Sequence, residues 1–162
     1  MGGRPRMDRS ERDGLDLELT ARATQLYAVY AWAIDYGDFD LLESLVDPEV
    51  VITRGETDHP GLEAFMKVYH DNWSADWSAG KHYISNVIAS RQSDGLIRSR
   101  AYFQAVFISS DHSTMVAGRY DDLLTDNDDH LRILHKRIQV EGSLRLPATA
   151  PEWAGYQVSR VK

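Results

Sequence analysis

The second half of the sequence contains four long segments in which apolar and polar residues alternate, and these segments restrict the possible folds most. They cover 81–91, 96–109, 113–125 and 130–141, and β-branched and aromatic residues are frequent in them. Turn-forming stretches such as "SDG" and "TDNDD" separate one segment from the next. The pattern predicts a meander of long antiparallel strands.

The first half shows helical spacing of its apolar residues instead. A long amphipathic helix is predicted from Leu15 to about Gly37. Asp40 is the expected N-cap of a short helix over 41–46. The stretch "VVITRG" is predicted to form a strand, and "HPGLEAFMKVYHDNWSADW" is predicted to form a third helix. Helices followed by a curved antiparallel sheet define an α+β fold, with a cone-shaped cavity between the layers in which a site would lie.

The size and charge of the chain narrow its function class. Its 162 residues suit one domain, which we place at 15–142, between a polar tail over 1–14 and a C-terminal extension over 143–162. A net charge of −7 without a long basic run argues against nucleic-acid binding. We find no apolar run of membrane-spanning length and no secretory signal, so a cytoplasmic protein is expected.

Asp35 occupies an unusual position near the end of the first helix. Ala31 and Ala28 precede it by one and two turns, so the acid stands above a strip of small side chains. A negative charge near a helix C-terminus interacts unfavourably with the helix dipole, and this lowers the stability of the helix by roughly 0.3–1 kcal/mol. The acid therefore either contacts solvent in the last turn or has a partner elsewhere in the fold.

His82 is the most promising histidine. Strand alternation places it on the same face as Ile84, where a histidine is either a satisfied core residue or a proton-transfer group. The chain contains no cysteine, no HExxH pair, no phosphate-binding glycine loop and no nucleophile elbow. Neither a metal nor a nucleotide cofactor is expected.

Four stretches together resemble the SnoaL-like branch of the NTF2-like superfamily. They are "YAWAIDYGDFDLLESLVDPEVVI", "HYISN", "AGRYDDLL" and "LRILHKRI", and the resemblance covers about residues 15–142. That branch includes scytalone dehydratase, bile-acid 7α-dehydratases and polyketide cyclases. The resemblance implies a cone-shaped α+β barrel in which the helix acid and the strand histidine face each other across the pocket.

The resemblance also implies roles for individual residues. Asp35 and His82 stand at the two positions of the His/Asp dyad of the dehydratases, and Tyr30 matches a catalytic tyrosine of the bile-acid enzymes, although it also fits the apolar core. The relatives bring a further histidine or aspartate from the next long strand. Here that region offers Gln104 as its polar candidate.

These residues suggest a cofactor-independent lyase or isomerase of the dehydratase or cyclase type. His82, oriented by ionised Asp35, would remove a proton from carbon, and Tyr30, Tyr120 or Gln104 would stabilise the oxyanion. The aromatic content, which includes Trp32 and Phe103, favours an apolar ring-containing substrate.

The rival class is a non-catalytic ligand-binding or structural subunit resembling the small subunit of ring-hydroxylating dioxygenases. A scaffold has no need for both members of the dyad, which separates the two classes. Because an open sheet face usually needs covering, a homodimer or homotrimer is expected in either case.

Overall fold

The computed structural model describes residues 12, 14–73, 75, 79–109, 112–127 and 130–147. The helices in this part of the chain are α1 (Leu17–Tyr36), α2 (Phe39–Ser44) and α3 (Leu62–Trp73). The strands are β1 (Val46–Arg54), β2 (Thr57–Pro60), β3 (Ala79–Arg91), β4 (Ile97–Ile108), β5 (His112–Asn127) and β6 (His130–Pro147). None of the helices in these ranges is long and apolar enough to cross a membrane.

All six strands form one curved sheet in the order β2-β1-β6-β5-β4-β3. Neighbouring strands are antiparallel except for β1 and β6, which run parallel. The α+β fold and the meander are confirmed, but the sheet stays open between its edge strands β2 and β3, so it is not a closed barrel. The helices pack against its concave face.

The long first helix is confirmed, and its two ends show why it forms there. Asp16 caps the N-terminus by accepting a hydrogen bond from the backbone N–H of Leu19 at 3.0 Å. At the other end Gly37 has a positive φ of 67° and lies against the ring of Trp73. A side chain at Gly37 would collide with that ring, and residues other than glycine rarely adopt this positive φ. Glycine is therefore required at this turn.

The short helix begins and ends earlier than the sequence predicts. Its N-cap is Asp38 rather than Asp40, because the Asp38 carboxylate accepts a hydrogen bond from the backbone N–H of Leu41 at 3.0 Å. Val46 belongs to β1, where it pairs with Ile133 of β6. The gain of a sheet partner therefore ends the helix before Val46.

The last strand is longer than expected and changes one predicted domain boundary. β6 continues to Pro147, which pairs with His112 at the start of β5. Residues 143–147 therefore belong to the sheet rather than to a separate extension. Most of the predicted N-terminal tail and residues 148–162 lie outside the described residues.

The core lies between the helices and the concave face of the sheet. Its largest fully buried side chains include four aromatic residues from three elements, namely Tyr27, Tyr30, Phe65 and Tyr120. Gly118 of β5 allows β6 and Phe103 to approach closely, because an added Cβ would collide with the Gln139 carbonyl and the Phe103 ring. Phe103 and Gln139 both line the cavity between the helices and the sheet.

Candidate functional site

Asp35 and His82 form a direct pair between α1 and β3. The backbone N–H of His82 donates to Oδ2 of Asp35 at 3.0 Å, and Nδ1 of the imidazole lies 2.7 Å from Oδ1. Both oxygens of one carboxylate thus hold one residue of the sheet edge. The two side chains are only 7% and 13% exposed, respectively, so little water competes for these contacts.

This arrangement fixes the orientation of the imidazole ring. Because a carboxylate only accepts hydrogen bonds, the nitrogen that faces it must carry a proton, and in the neutral ring this leaves Nε2 as the acceptor. The ring of Phe107 packs edge-on against the imidazole with a centroid distance of 5.6 Å. The two contacts to His82 also explain why an acid is kept at an unfavourable end of α1.

His82 opens onto a cavity of about 610 Å³, a volume suited to a small organic ligand. The cavity lies between α1, α3, the end of β1 and the concave face of the sheet. Apart from His82 its inner wall is mostly apolar or aromatic, with contributions from Val68, Phe103, Ala105, Phe107, Val116, Tyr120 and Ile138. Asp35 supports His82 from behind and does not line the cavity itself.

Two tyrosines place a hydroxyl pair in the cavity wall. The hydroxyls of Tyr30 on α1 and Tyr69 on α3 lie 2.7 Å apart, so one donates to the other and a single proton is left to donate elsewhere. Burial raises the pKa of both phenols well above their ordinary range, and each is a neutral donor near pH 7. The pair is therefore suited to stabilise negative charge on a ligand oxygen.

A fully buried ion pair lies behind Tyr120. Nζ of Lys136 donates to Asp122 at 2.8 Å, and the same carboxylate accepts from the hydroxyl of Tyr27 at 2.7 Å and from the backbone N–H of Arg137 at 2.9 Å. The ammonium also lies 3.0 Å from the centroid of the Tyr120 ring. Burial lowers the pKa of Lys136 to about 8, although the Asp122 charge acts in the opposite direction.

Comparison with protein families adds the identity of the fold. The model of the SnoaL-like domain family matches residues 16–137 of the chain. The chain belongs to the SnoaL-like domain family. A comparison with curated protein sequences finds no match.

Several solved structures share the fold of this SnoaL-like domain, although their sequence identity to it is low. A candidate scytalone dehydratase from Novosphingobium aromaticivorans shares 14% identity over 79% of this chain and 87% of its own, with a TM-score of 0.71. A hexachlorocyclohexane dehydrochlorinase, LinA type 2, shares 15% identity over 86% of this chain and 97% of its own, with a TM-score of 0.72. ActVI-ORFA from Streptomyces coelicolor shares 17% identity over 76% of this chain and 98% of its own, with a TM-score of 0.61.

The SnoaL-like domain gathers some of the sequence-predicted site residues in one cavity. His82, Tyr30, Tyr120 and Phe103 line it, and Asp35 contacts His82 directly. Tyr120 and Phe103 stack on each other in the cavity wall, with ring centroids 4.6 Å apart. The sequence pattern placed Tyr30 in the apolar stripe of the first helix and His82 on one strand face with Ile84, and the roles of these residues in a ligand site stay predictions.

Gln104 and Trp32 lie outside the cavity. Phe103 and Ala105 point inward on β4, so Gln104 between them points outward, where its amide contacts Sδ of Met115 at 3.4 Å. Trp32 is 64% exposed and stacks on Tyr36 on the outer side of α1. The expectation that either residue contacts a ligand in this cavity is therefore corrected.

The sequence reasoning missed five polar residues that line the cavity, among them Glu56 and Gln139, and three of the five bear on the chemistry or the shape of the site. These three are Tyr69 and Asn72 on α3 and Arg54 at the end of β1. Helical spacing puts Tyr69 on the apolar side of α3 together with Phe65 and Met66, and only the packing of α3 against α1 brings its hydroxyl to Tyr30. Within the described ranges no group of three or more His, Asp or Glu side chains is arranged to hold a metal ion.

Proposed function

We propose that this protein is a cofactor-independent lyase or isomerase that removes a proton from carbon in an apolar ring-containing molecule. The observation that carries the proposal is the Asp35–His82 pair at the wall of a mostly apolar cavity. The names of two structural neighbours describe eliminations, of water in one case and of hydrogen chloride in the other. Both eliminations require the loss of a proton, which supports the same class of reaction here.

His82 is the proposed general base. Its Nε2 takes a proton from a carbon next to a carbonyl group, and the electron pair of the broken C–H bond moves into the enolate. Asp35 holds the ring in position and stabilises the positive charge that then forms on it. The imidazolium afterwards returns the proton either to a leaving hydroxyl, which completes a dehydration, or to another carbon, which completes an isomerisation or cyclisation.

The hydroxyl pair of Tyr30 and Tyr69 is the proposed oxyanion donor. Because the hydrogen bond between the two hydroxyls uses only one of their two protons, the other can be donated to the enolate oxygen. Tyr120 and Phe103 provide an aromatic surface on which a ring substrate lies. Every step uses only side chains of this protein, so the proposed reaction needs no cofactor.

Exchange of carbon-bound protons for deuterium tests this proposal without knowledge of the full reaction. Ring ketones, for example cyclohexanones and tetralones with neutral or carboxyl substituents, are incubated with the protein in D₂O, and the loss of the signal next to the carbonyl is followed by NMR. The wild type should accelerate exchange, and His82→Ala should reduce the rate by about 10²- to 10⁴-fold. His130→Ala, which removes an exposed histidine at the start of β6, should leave the rate unchanged.

Two outcomes would contradict the proposal. One is equal exchange with the wild type and folded His82→Ala, and the other is no acceleration of any ketone in the panel. Either result would favour the non-catalytic alternative, in which the cavity binds a ligand or the domain serves as a structural subunit.

The outer face of the sheet supports association between copies of the chain. It carries exposed apolar side chains on three strands, namely Tyr83, Tyr102, Leu144 and Leu146. We infer a homodimer or homotrimer that covers this face, which is compatible with either function. Sedimentation equilibrium should give a mass of two or three chains, and Tyr102→Glu should reduce it; a wild-type monomer would contradict the inference.

A further inference from the structure

The cavity contains one strong cation that the proposed chemistry does not use. Arg54, the last residue of β1, lines the same cavity as His82 and is the only Lys or Arg among the described lining residues. Its guanidinium forms no hydrogen bond or ion pair within the described part of the chain. Its charge acts on the Tyr69 phenol, where it opposes the rise in pKa that burial causes. The cation thus lines the cavity without a hydrogen-bond or ion-pair partner among the residues that the structure describes.

The sheet topology separates Arg54 from the base. Arg54 is on β1 and His82 is on the edge strand β3, and the strands β6, β5 and β4 lie between them. Ile138, Tyr120 and Phe103 of those three strands line the cavity between the two polar groups. A ligand that reaches both groups must therefore have an apolar body, with its reacting carbon at one end and a group for Arg54 at the other.

The charges at the cavity wall indicate what that group is. Glu56 lines the cavity two residues after Arg54, and the two side chains do not form an ion pair. A dianion such as a phosphate monoester would be attracted by one charge and repelled by the other. A single carboxylate matches the forked donors of a guanidinium in geometry and carries the smaller repulsion from Glu56.

We propose that Arg54 binds a carboxylate of the substrate, at the end remote from the carbon that His82 deprotonates. The substrate class is then a ring carboxylic acid rather than a neutral ring compound. This inference rests on the proposed function for the reacting end of the molecule. The binding of the carboxylate end depends only on the cavity and Arg54, and it is testable by itself.

Binding of a matched acid and amide tests the inference. 2-Naphthoate and 2-naphthamide have nearly the same shape, and isothermal titration calorimetry measures their affinities for the full chain. The wild type should bind the acid roughly three- to tenfold more tightly than the amide, which is the range for a partly exposed, charge-assisted contact. This preference should shrink when the NaCl concentration is raised from about 0.05 M to about 0.5 M.

Variants assign the preference to one side chain. Arg54→Gln should abolish the preference for the acid while the affinity for the amide stays the same. Arg132→Gln is the matched control, because Arg132 is also exposed and lacks a hydrogen bond or ion pair among the described residues, but it lines a different cleft. It should retain the preference, and urea unfolding should show that both variants are folded.

The inference is overturned if wild-type protein does not bind the acid, if acid and amide bind equally, or if Arg54→Gln retains the preference. It is also overturned if Arg132→Gln loses the preference to the same extent. His82→Ala separates this inference from the proposed function. It should lose deuterium exchange and keep the binding of 2-naphthoate, so a failure of catalysis and a failure of the carboxylate site give different results.

Discussion

The substitution Asp35→Asn tests the central contact of the site in the absence of any substrate. In the wild type both carboxylate oxygens accept hydrogen bonds from His82, one from its backbone N–H at 3.0 Å and one from its ring at 2.7 Å. An amide of the same shape has one acceptor oxygen, and its NH₂ group must face the second donor. One hydrogen bond is lost and two donors oppose each other, unless the imidazole changes its tautomer.

The expected loss of stability follows from the burial of this contact. At 7% and 13% side-chain exposure, water replaces the lost partner poorly, so a donor is left nearly unsatisfied. Such a loss lowers the free energy of unfolding by about 1–3 kcal/mol. Relief of the unfavourable charge at the end of α1 offsets less than about 1 kcal/mol of this. We therefore expect a net loss of about 1–2 kcal/mol.

Two measurements check the expectation. Urea unfolding followed by tryptophan fluorescence gives the stability, and ¹⁵N NMR of the imidazole nitrogens shows which of them carries the proton. The wild type should carry its proton on Nδ1 of His82, and Asp35→Asn should populate the Nε2-protonated form. Glu43→Gln removes an exposed acid on α2 and should change neither quantity. An Asp35→Asn protein with unchanged stability and an unchanged tautomer would refute the argument.

Two further predictions concern the buried ion pair. Lys136→Met leaves the Asp122 charge buried without its cation, so the free energy of unfolding should fall by about 3–5 kcal/mol. The additional substitution Asp122→Leu should recover part of this loss. Urea unfolding of both variants measures the change, and a loss below about 1 kcal/mol in Lys136→Met would contradict the prediction. In the wild type, stability should rise with pH between about 8 and 10. The folded state has then released the Lys136 proton, because its pKa is lowered to about 8, while the unfolded state still holds it. Urea unfolding across this range should show the rise in wild type and not in Lys136→Met, and a flat wild-type profile would count against the shift. Above about pH 10 the trend should reverse, because the raised pKa values of Tyr27, Tyr30 and Tyr120 keep their protons in the folded state only.

Sequence patterns predicted the parts of the fold that depend on local repeats. The spacing of apolar residues located α1 and α3, and the alternation located β3 to β6 to within a few residues at most ends. Local patterns were weaker where two elements compete for the same residues. Val46 fits either a helix or a strand by itself, and its pairing with Ile133 of β6 decides for the strand. In the same way, β6 extends to Pro147 because β5 provides partners along that whole length.

The same distinction between local sequence pattern and tertiary contacts applies to the candidate site. The sequence by itself determined that Asp35 stands near a helix end and that His82 shares a strand face with Ile84, because both facts follow from the period of one element. Tertiary structure decided that these residues, 47 positions apart, meet at 2.7 Å, since that distance depends on how α1 packs against the edge of the sheet. It also excluded Gln104, whose position between two inward residues turns it outward, and it added Tyr69 and Arg54. The sequence of a single element does not show which group its hydroxyl or guanidinium faces. That is decided by the packing of several elements around a common cavity.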